Sequence, residues 1–207
     1  GTNAGNYTVY WYVAGNSNYS SKSGSVTVTI GKYNLSNATI ASVSSQTYTG
    51  SQIKPTPAVT VPLPSGSSST LTVTTDYTYS YTNNTNAGTA TITVTGTGNY
   101  TGTKTTTFTI SKKGNPISVT ANTLTYNKAA QALVTVSGAQ GNVCYSTSTA
   151  VTSCSSAGTI PTGTNAGNYT VYWYVAGNTN YSSKSGSVTV TIAKYNLSNA
   201  TIASVSS

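Results

Sequence analysis

Two cysteines, one carboxylate and a short line of strand tyrosines are the residues of this chain with chemistry to offer. Cys144 and Cys154 are the only cysteines and stand in NVCYSTSTAVTSC with nine residues between them. A metal site needs two further ligands and His is absent, while redox catalysis favours a tighter spacing. In an extracellular chain one local pair most simply forms a disulfide that ties a hairpin or loop. A closure this short contributes roughly 2–3 kcal/mol on the loop-entropy model. Asp76 is the sole acid. Buried together with a Lys and an Asn it could drive an internal Lys–Asn amide bond, and Lys54, Lys104 and several Asn fall in the same stretch. The plainer expectation is that it begins a strand or bonds a turn backbone. Tyr10 and Tyr12, recurring as Tyr172 and Tyr174, flank Trp11 and Trp173. Outward-facing aromatics in line stack sugar rings in many binding modules; equally, cross-strand Tyr–Thr contacts hold a sheet together with no ligand.

The surrounding composition narrows the chemistry further. Among 207 residues there are nine basic residues, one acid and no His, a formal net charge of +8. Without His no Ser–His or Cys–His nucleophile pair forms, and one carboxylate makes neither an acid/base dyad nor a calcium cage. Neither a Walker-type loop nor a dinucleotide fingerprint occurs, so the expectation is no enzyme, no metal and no cofactor. Nucleic acid is not an expected partner: every basic residue is Lys, spread from Lys22 to Lys194 with only Lys112 and Lys113 adjacent, and the bidentate guanine reader Arg is missing. No apolar run approaches the ~20 residues that cross a bilayer as a helix, so membrane insertion is not expected either. The chain opens at Gly1 with no initiator Met or signal peptide and reads as a window onto something longer.

The elements that must position these groups follow from a repeat. Residues 1–45 recur as 163–207 with two changes, Ser17 to Thr179 and Gly31 to Ala193, an offset of 162. Near-identity over that length marks an array. A weaker echo lies inside the period. TNAGNYTVYWYVAGNSNY leading to SVTVTI is matched by TNAGTATITVTGTGNY (85–100) leading to TTTFTI (105–110). The expected organisation is therefore the back half of a type-A module at 1–32 and a type-B module at 33–113. A full type-A module follows at 114–194, and 195–207 opens the next type-B module. Ser and Thr fill about a third of the chain, and Val, Ile and Tyr join them as residues suited to a pleated, half-buried surface. Period-two alternation predicts half-buried antiparallel strands. It places Val26, Val28 and Ile30 on one face of 25–30, and Ala90, Ile92 and Val94 on one face of 89–95. Thr106, Phe108 and Ile110 share a face of 105–110. The same rule turns Tyr7, Val9, Trp11 and Val13 inward and Thr8, Tyr10 and Tyr12 outward. Pro55, Pro57, Pro62 and Pro64 predict an extended connection or an edge strand over 55–69. No helix is expected. Seven or so short strands per module suggest all-β, tandem immunoglobulin-like sandwiches in a linear array, though a simpler β-roll gives the same pattern.

Both modules resemble the repeats of large secreted bacterial surface proteins, the mostly-β, Gly-rich and bacterial immunoglobulin-like modules of adhesins. The resemblance is carried by YTGSQIKPTPAVTV (48–61), DYTYSYTNNTNAGTATITVTGTGNYTG (76–102), LTYNKAAQALVTV (124–136) and IPTGTNAGNYTVYWYVAGNTNY (160–181). It implies a segment of an extracellular fibre or adhesin stalk, a spacer or filament-forming element whose partners are neighbouring copies of the same repeat. The alternative is a carbohydrate-binding module array that uses Tyr10, Tyr12, Tyr172 and Tyr174 on host or cell-surface glycans. The partial modules at the two ends fit a continuous polymer or, as the rival, separate subunits that complete one another by strand exchange.

Overall fold

A computed structural model describes residues 1–63 and 65–199; Pro64 and residues 200–207, and with them most of the strand expected over 195–207, lie outside the described residues. Among the described residues the chain is all-β apart from two single turns of 3-10 helix, Leu35–Asn37 and Leu197–Asn199, which the alternation gave no reason to expect. Asn34 caps the first of them, its side chain accepting the Ser36 N–H. No helix among the described residues is long and apolar enough to cross a membrane. The chain divides into two compact units, Gly1–Ser111 and Lys112 onward.

The first unit opens with a hairpin. Gly5–Val13 pairs antiparallel with Lys22–Ile30, from Gly5 opposite Ile30 to Val13 opposite Lys22, and among the described residues no third strand joins this two-stranded sheet. Residues 33–111 then build two larger sheets, beside a short parallel pairing of Tyr33–Asn34 with Tyr100–Thr101. One has three strands, with Val59–Pro62 between Thr39–Ile40 and Ser68–Thr70. The other has four, in the order Gln46–Thr47, Thr103–Ser111, Gly88–Gly96, Tyr77–Thr82. The opening part of this stretch serves both sheets: Thr39–Ile40 runs antiparallel to Thr60 and Val59, and Gln46–Thr47 runs parallel to Ile110–Ser111. Alternation does its predicted work in the long strands. Ala90, Ile92 and Val94 are fully buried, Phe108 and Ile110 nearly so, and the intervening Thr face outward or are half-buried. Burying such apolar side chains is worth about 1.5–3 kcal/mol each and holds the sheets closed.

The proline-rich stretch departs from expectation. Val59–Pro62 is the middle strand of its sheet, with Val59 and Val61 buried. Pro55 and Pro57 precede the ladder and Pro62 ends the strand, so the missing proline N–H groups interrupt nothing inside it. The hairpin to Ser68–Thr70 closes by Leu63 N–H on the Ser67 carbonyl at 2.8 Å.

The second unit repeats the four-stranded plan. Its order is Leu124–Thr125, Lys184–Ala193, Gly167–Val175, Val143–Ser146, again with the first strand parallel to the last. Ser118–Ala121 pairs with Val134–Ser137, and Gln131–Ala132 with Thr162–Gly163. The core is Leu133, Val134, Val171, Val190 and Ile192, with a neighbouring cluster of Ile117, Val143, Trp173 and Val175. Asn115, 4% exposed, acts as a backbone mimic beneath it. Its amide donates to the Gln140 carbonyl and accepts the Gln140 N–H, both at 3.1 Å.

Candidate functional site

The repeat places one amino-acid sequence in two environments, and the contrast defines the most distinctive surface of the molecule. In the second copy, Gly167–Val175 and Lys184–Ala193 form a hairpin with the same register as the first. There Val171, Val175 and Val190 are 0% exposed, Ile192 1% and Trp173 8%. Four of their counterparts in the first copy are open, Val9 50%, Val13 59%, Val28 47% and Trp11 42% exposed, and the fifth, Ile30, is half-buried. The expectation that Val9, Trp11 and Val13 turn inward therefore fails in the first copy and holds in the second. The alternation fixes which face is apolar; only a second layer and flanking strands make that face an interior.

Those covering elements are identifiable. Val143–Ser146 pairs with one edge of the second hairpin and Leu124–Thr125 with the other. Leu133 and Val134 pack on its apolar face beside Ile192, and Ile117 and Val143 pack around Trp173. All of them come from residues 112–162. Within each hairpin the indole lies across a glycine: Trp11 is opposite Gly24 and Trp173 opposite Gly186. A Cβ at Gly24 would fall 2.5 Å from Cζ2 of Trp11, and at Gly186 2.6 Å from Cζ2 of Trp173. These glycines serve by lacking a side chain rather than by backbone freedom, and both copies keep the same indole geometry whether covered or not.

Tyr10 and Tyr12 stand on the opposite face of the first hairpin, 81% and 68% exposed. Tyr172 and Tyr174 are half-buried, because Val143–Ser146 adds a strand alongside: Tyr172 is paired with Ser146 and Tyr174 with Cys144. The structure thus puts the four tyrosines on equivalent positions with different solvent access. Cys144 and Cys154 form a disulfide with Cα atoms 5.5 Å apart, which anchors the loop after Ser146 to that edge strand.

Asp76 takes the turn role. Its carboxylate accepts the Thr72 N–H at 2.7 Å and its carbonyl the Thr97 N–H at 2.8 Å. Lys104 donates to the Ser36 carbonyl at 2.8 Å and Lys54 is exposed, so neither is buried with Asp76 as an amide cross-link requires.

A tyrosine ladder escaped the sequence reading. Tyr77, Tyr79 and Tyr81 project from one face of their strand, Tyr77 and Tyr79 edge to face at 5.1 Å and Tyr79 and Tyr81 at 6.0 Å. The Tyr79 hydroxyl donates to the Pro57 carbonyl and the Tyr81 hydroxyl to the Pro55 carbonyl at 2.8 Å. The segment before Val59 lies outside any strand, and these hydroxyls supply partners for its carbonyls. Burial, then the hydrogen bond with Tyr77, pushes the Tyr79 phenol well above its ordinary range. Tyr81 is raised by burial and then by Tyr77. The signal was present as Tyr-x-Tyr-x-Tyr after a proline run.

No family model, curated protein or solved structure matches this chain. The geometry offers a β scaffold with one covered hairpin and one uncovered hairpin of the same sequence.

Proposed function

We propose that this chain is a structural repeat segment of an extracellular fibre or adhesin stalk, acting as a spacer or filament-forming element without catalysis. On this reading each module is an immunoglobulin-like sandwich, and the modules follow one another in a linear array. The observation that carries it is the four-stranded sheet built twice on one plan, the opening strand parallel to the last in both units. Type-A and type-B sequences thus give interchangeable frames, as an array of alternating modules requires. The parallel closure lets the opening segment bridge both sheets of the type-B module, which supports the sandwich. The disulfide supports an oxidising, extracellular setting. Protein of this kind needs mechanical continuity and solubility more than reactive groups, and Thr-rich outer faces supply solubility with almost no charge. The test is location and form. Antibody raised to residues 33–111 should decorate filaments or stalks outside intact cells, and brief protease treatment of those cells should release peptides of the repeat. Labelling confined to the cell interior would overturn the reading.

A further inference from the structure

We propose that the exposed apolar face of the hairpin Gly5–Ile30 is a docking surface for a second copy of the segment 112–162. The segment would lie on it as residues 112–162 lie on Gly167–Ala193. This rests on the structural-repeat reading and names the partner that reading leaves open. The argument is one of identity. Over residues 5–30 the two hairpins differ at a single position, Ser17 against Thr179, and their registers agree pair for pair. A surface of the same side chains on the same backbone accepts the same complement. In the second unit that complement is a strand on each edge, Leu124–Thr125 and Val143–Ser146, and the side chains of Ile117, Leu133 and Val134 over the face. In the first unit no described residue adds a third strand to either edge, and Val9, Trp11, Val13, Val26 and Val28 stay between 42% and 59% exposed. A contiguous apolar sheet face with two open edges is what soluble proteins cover.

The sequence also says what cannot cover it. Residues 195–207 repeat 33–45 and so carry no copy of 112–162. The complement has to be a further copy of 112–162 itself, carrying its own disulfide and arriving once per period of the repeat.

The experiment uses the full chain and, as probe, a synthetic peptide of residues 112–162 with its disulfide formed. Trp11 reports cover, because Trp173 is already buried; a Trp11→Phe chain gives the background. A chain with a copy of 112–162 fused ahead of Gly1 sets the fully covered signal. The proposal expects saturable 1:1 binding, a blue shift of Trp11 emission and a several-fold fall in its acrylamide quenching, to the level of the fused chain. It expects Val28→Asp, at a half-exposed position, to abolish binding while leaving the thermal transition of the chain in place. If the fused chain protects Trp11 but the peptide fails to do so even at millimolar concentration, the docking surface is refuted and the repeat reading stands. Binding that survives Val28→Asp also refutes it. If Trp11 stays quenchable in the fused chain as well, the repeat reading falls with it.

Discussion

The same valine can be removed twice, once from a finished interior and once from an open face. Val190 is 0% exposed, and Val28, its counterpart in the first copy, is 47% exposed. Truncating Val190 to Ala withdraws two methyl groups, about 1.6 kcal/mol of transfer free energy at ~0.8 kcal/mol per methylene. The void they leave, enclosed among Leu133, Val134, Val171 and Ile192, adds about 1 kcal/mol. The expected loss is thus about 2–3 kcal/mol, which for a unit of this size lowers the melting temperature by roughly 10–20 °C. Truncating Val28 forfeits at most half the transfer and leaves no enclosed void. A two-stranded hairpin is also marginal alone and adds little to a cooperative transition. The expected loss there is under about 0.5 kcal/mol. Calorimetry and circular-dichroism melting of Val190→Ala, Val28→Ala and the unmodified chain make the comparison. Equal shifts for the two variants, or a Val190→Ala loss under about 1 kcal/mol, would refute the claim that identical sequence is interior in one copy and surface in the other.

Reducing the Cys144–Cys154 bond should destabilise the second unit by roughly 2–3 kcal/mol and leave the first unchanged; an unaltered denaturation profile in dithiothreitol contradicts this. Raised phenol ionisation in the fold means that stability from Tyr79 and Tyr81 is fully present below pH 10 and is lost as pH climbs above it, because the unfolded chain then releases protons first. With no His to titrate, the melting temperature should hold within a few degrees from about pH 5 to 9 and fall beyond 10. Tyr79→Phe should cost about 1 kcal/mol at neutral pH by losing its bond to Pro57, and should soften the alkaline fall; an alkaline profile identical to that of the unmodified chain counts against the ladder. As a spacer, the protein should show the same retention on mucin and peptidoglycan columns after Tyr10→Ala, Tyr12→Ala, Tyr172→Ala and Tyr174→Ala; loss of retention would instead favour the carbohydrate-binding alternative.

Much of the scaffold was legible because its rule is local. In Gly88–Gly96 the alternation of Thr with Ala90, Ile92 and Val94 names the buried face outright, and the fully buried side chains match it. The Cys144–Cys154 bridge followed from scarcity of other partners. What the sequence hid depends on distant partners. Val59 and Val61 lie among prolines, and only pairing with strands on both sides makes theirs a central strand. The tyrosine hydroxyls reach backbone carbonyls 22 and 26 residues away, which no short-range pattern reports. Trp11 reads as interior from its neighbours, yet burial needs residues that are not its neighbours in sequence. The face was legible; its cover was not.

Scattering from chains of one, two and three periods tests the central claim most directly. If modules follow one another as a linear spacer, with strands of nine residues along the axis at ~3.3 Å per residue, the maximum dimension should grow by about 60–80 Å with every added period. Growth as the cube root of mass, the behaviour of a single compact globule, would contradict the account.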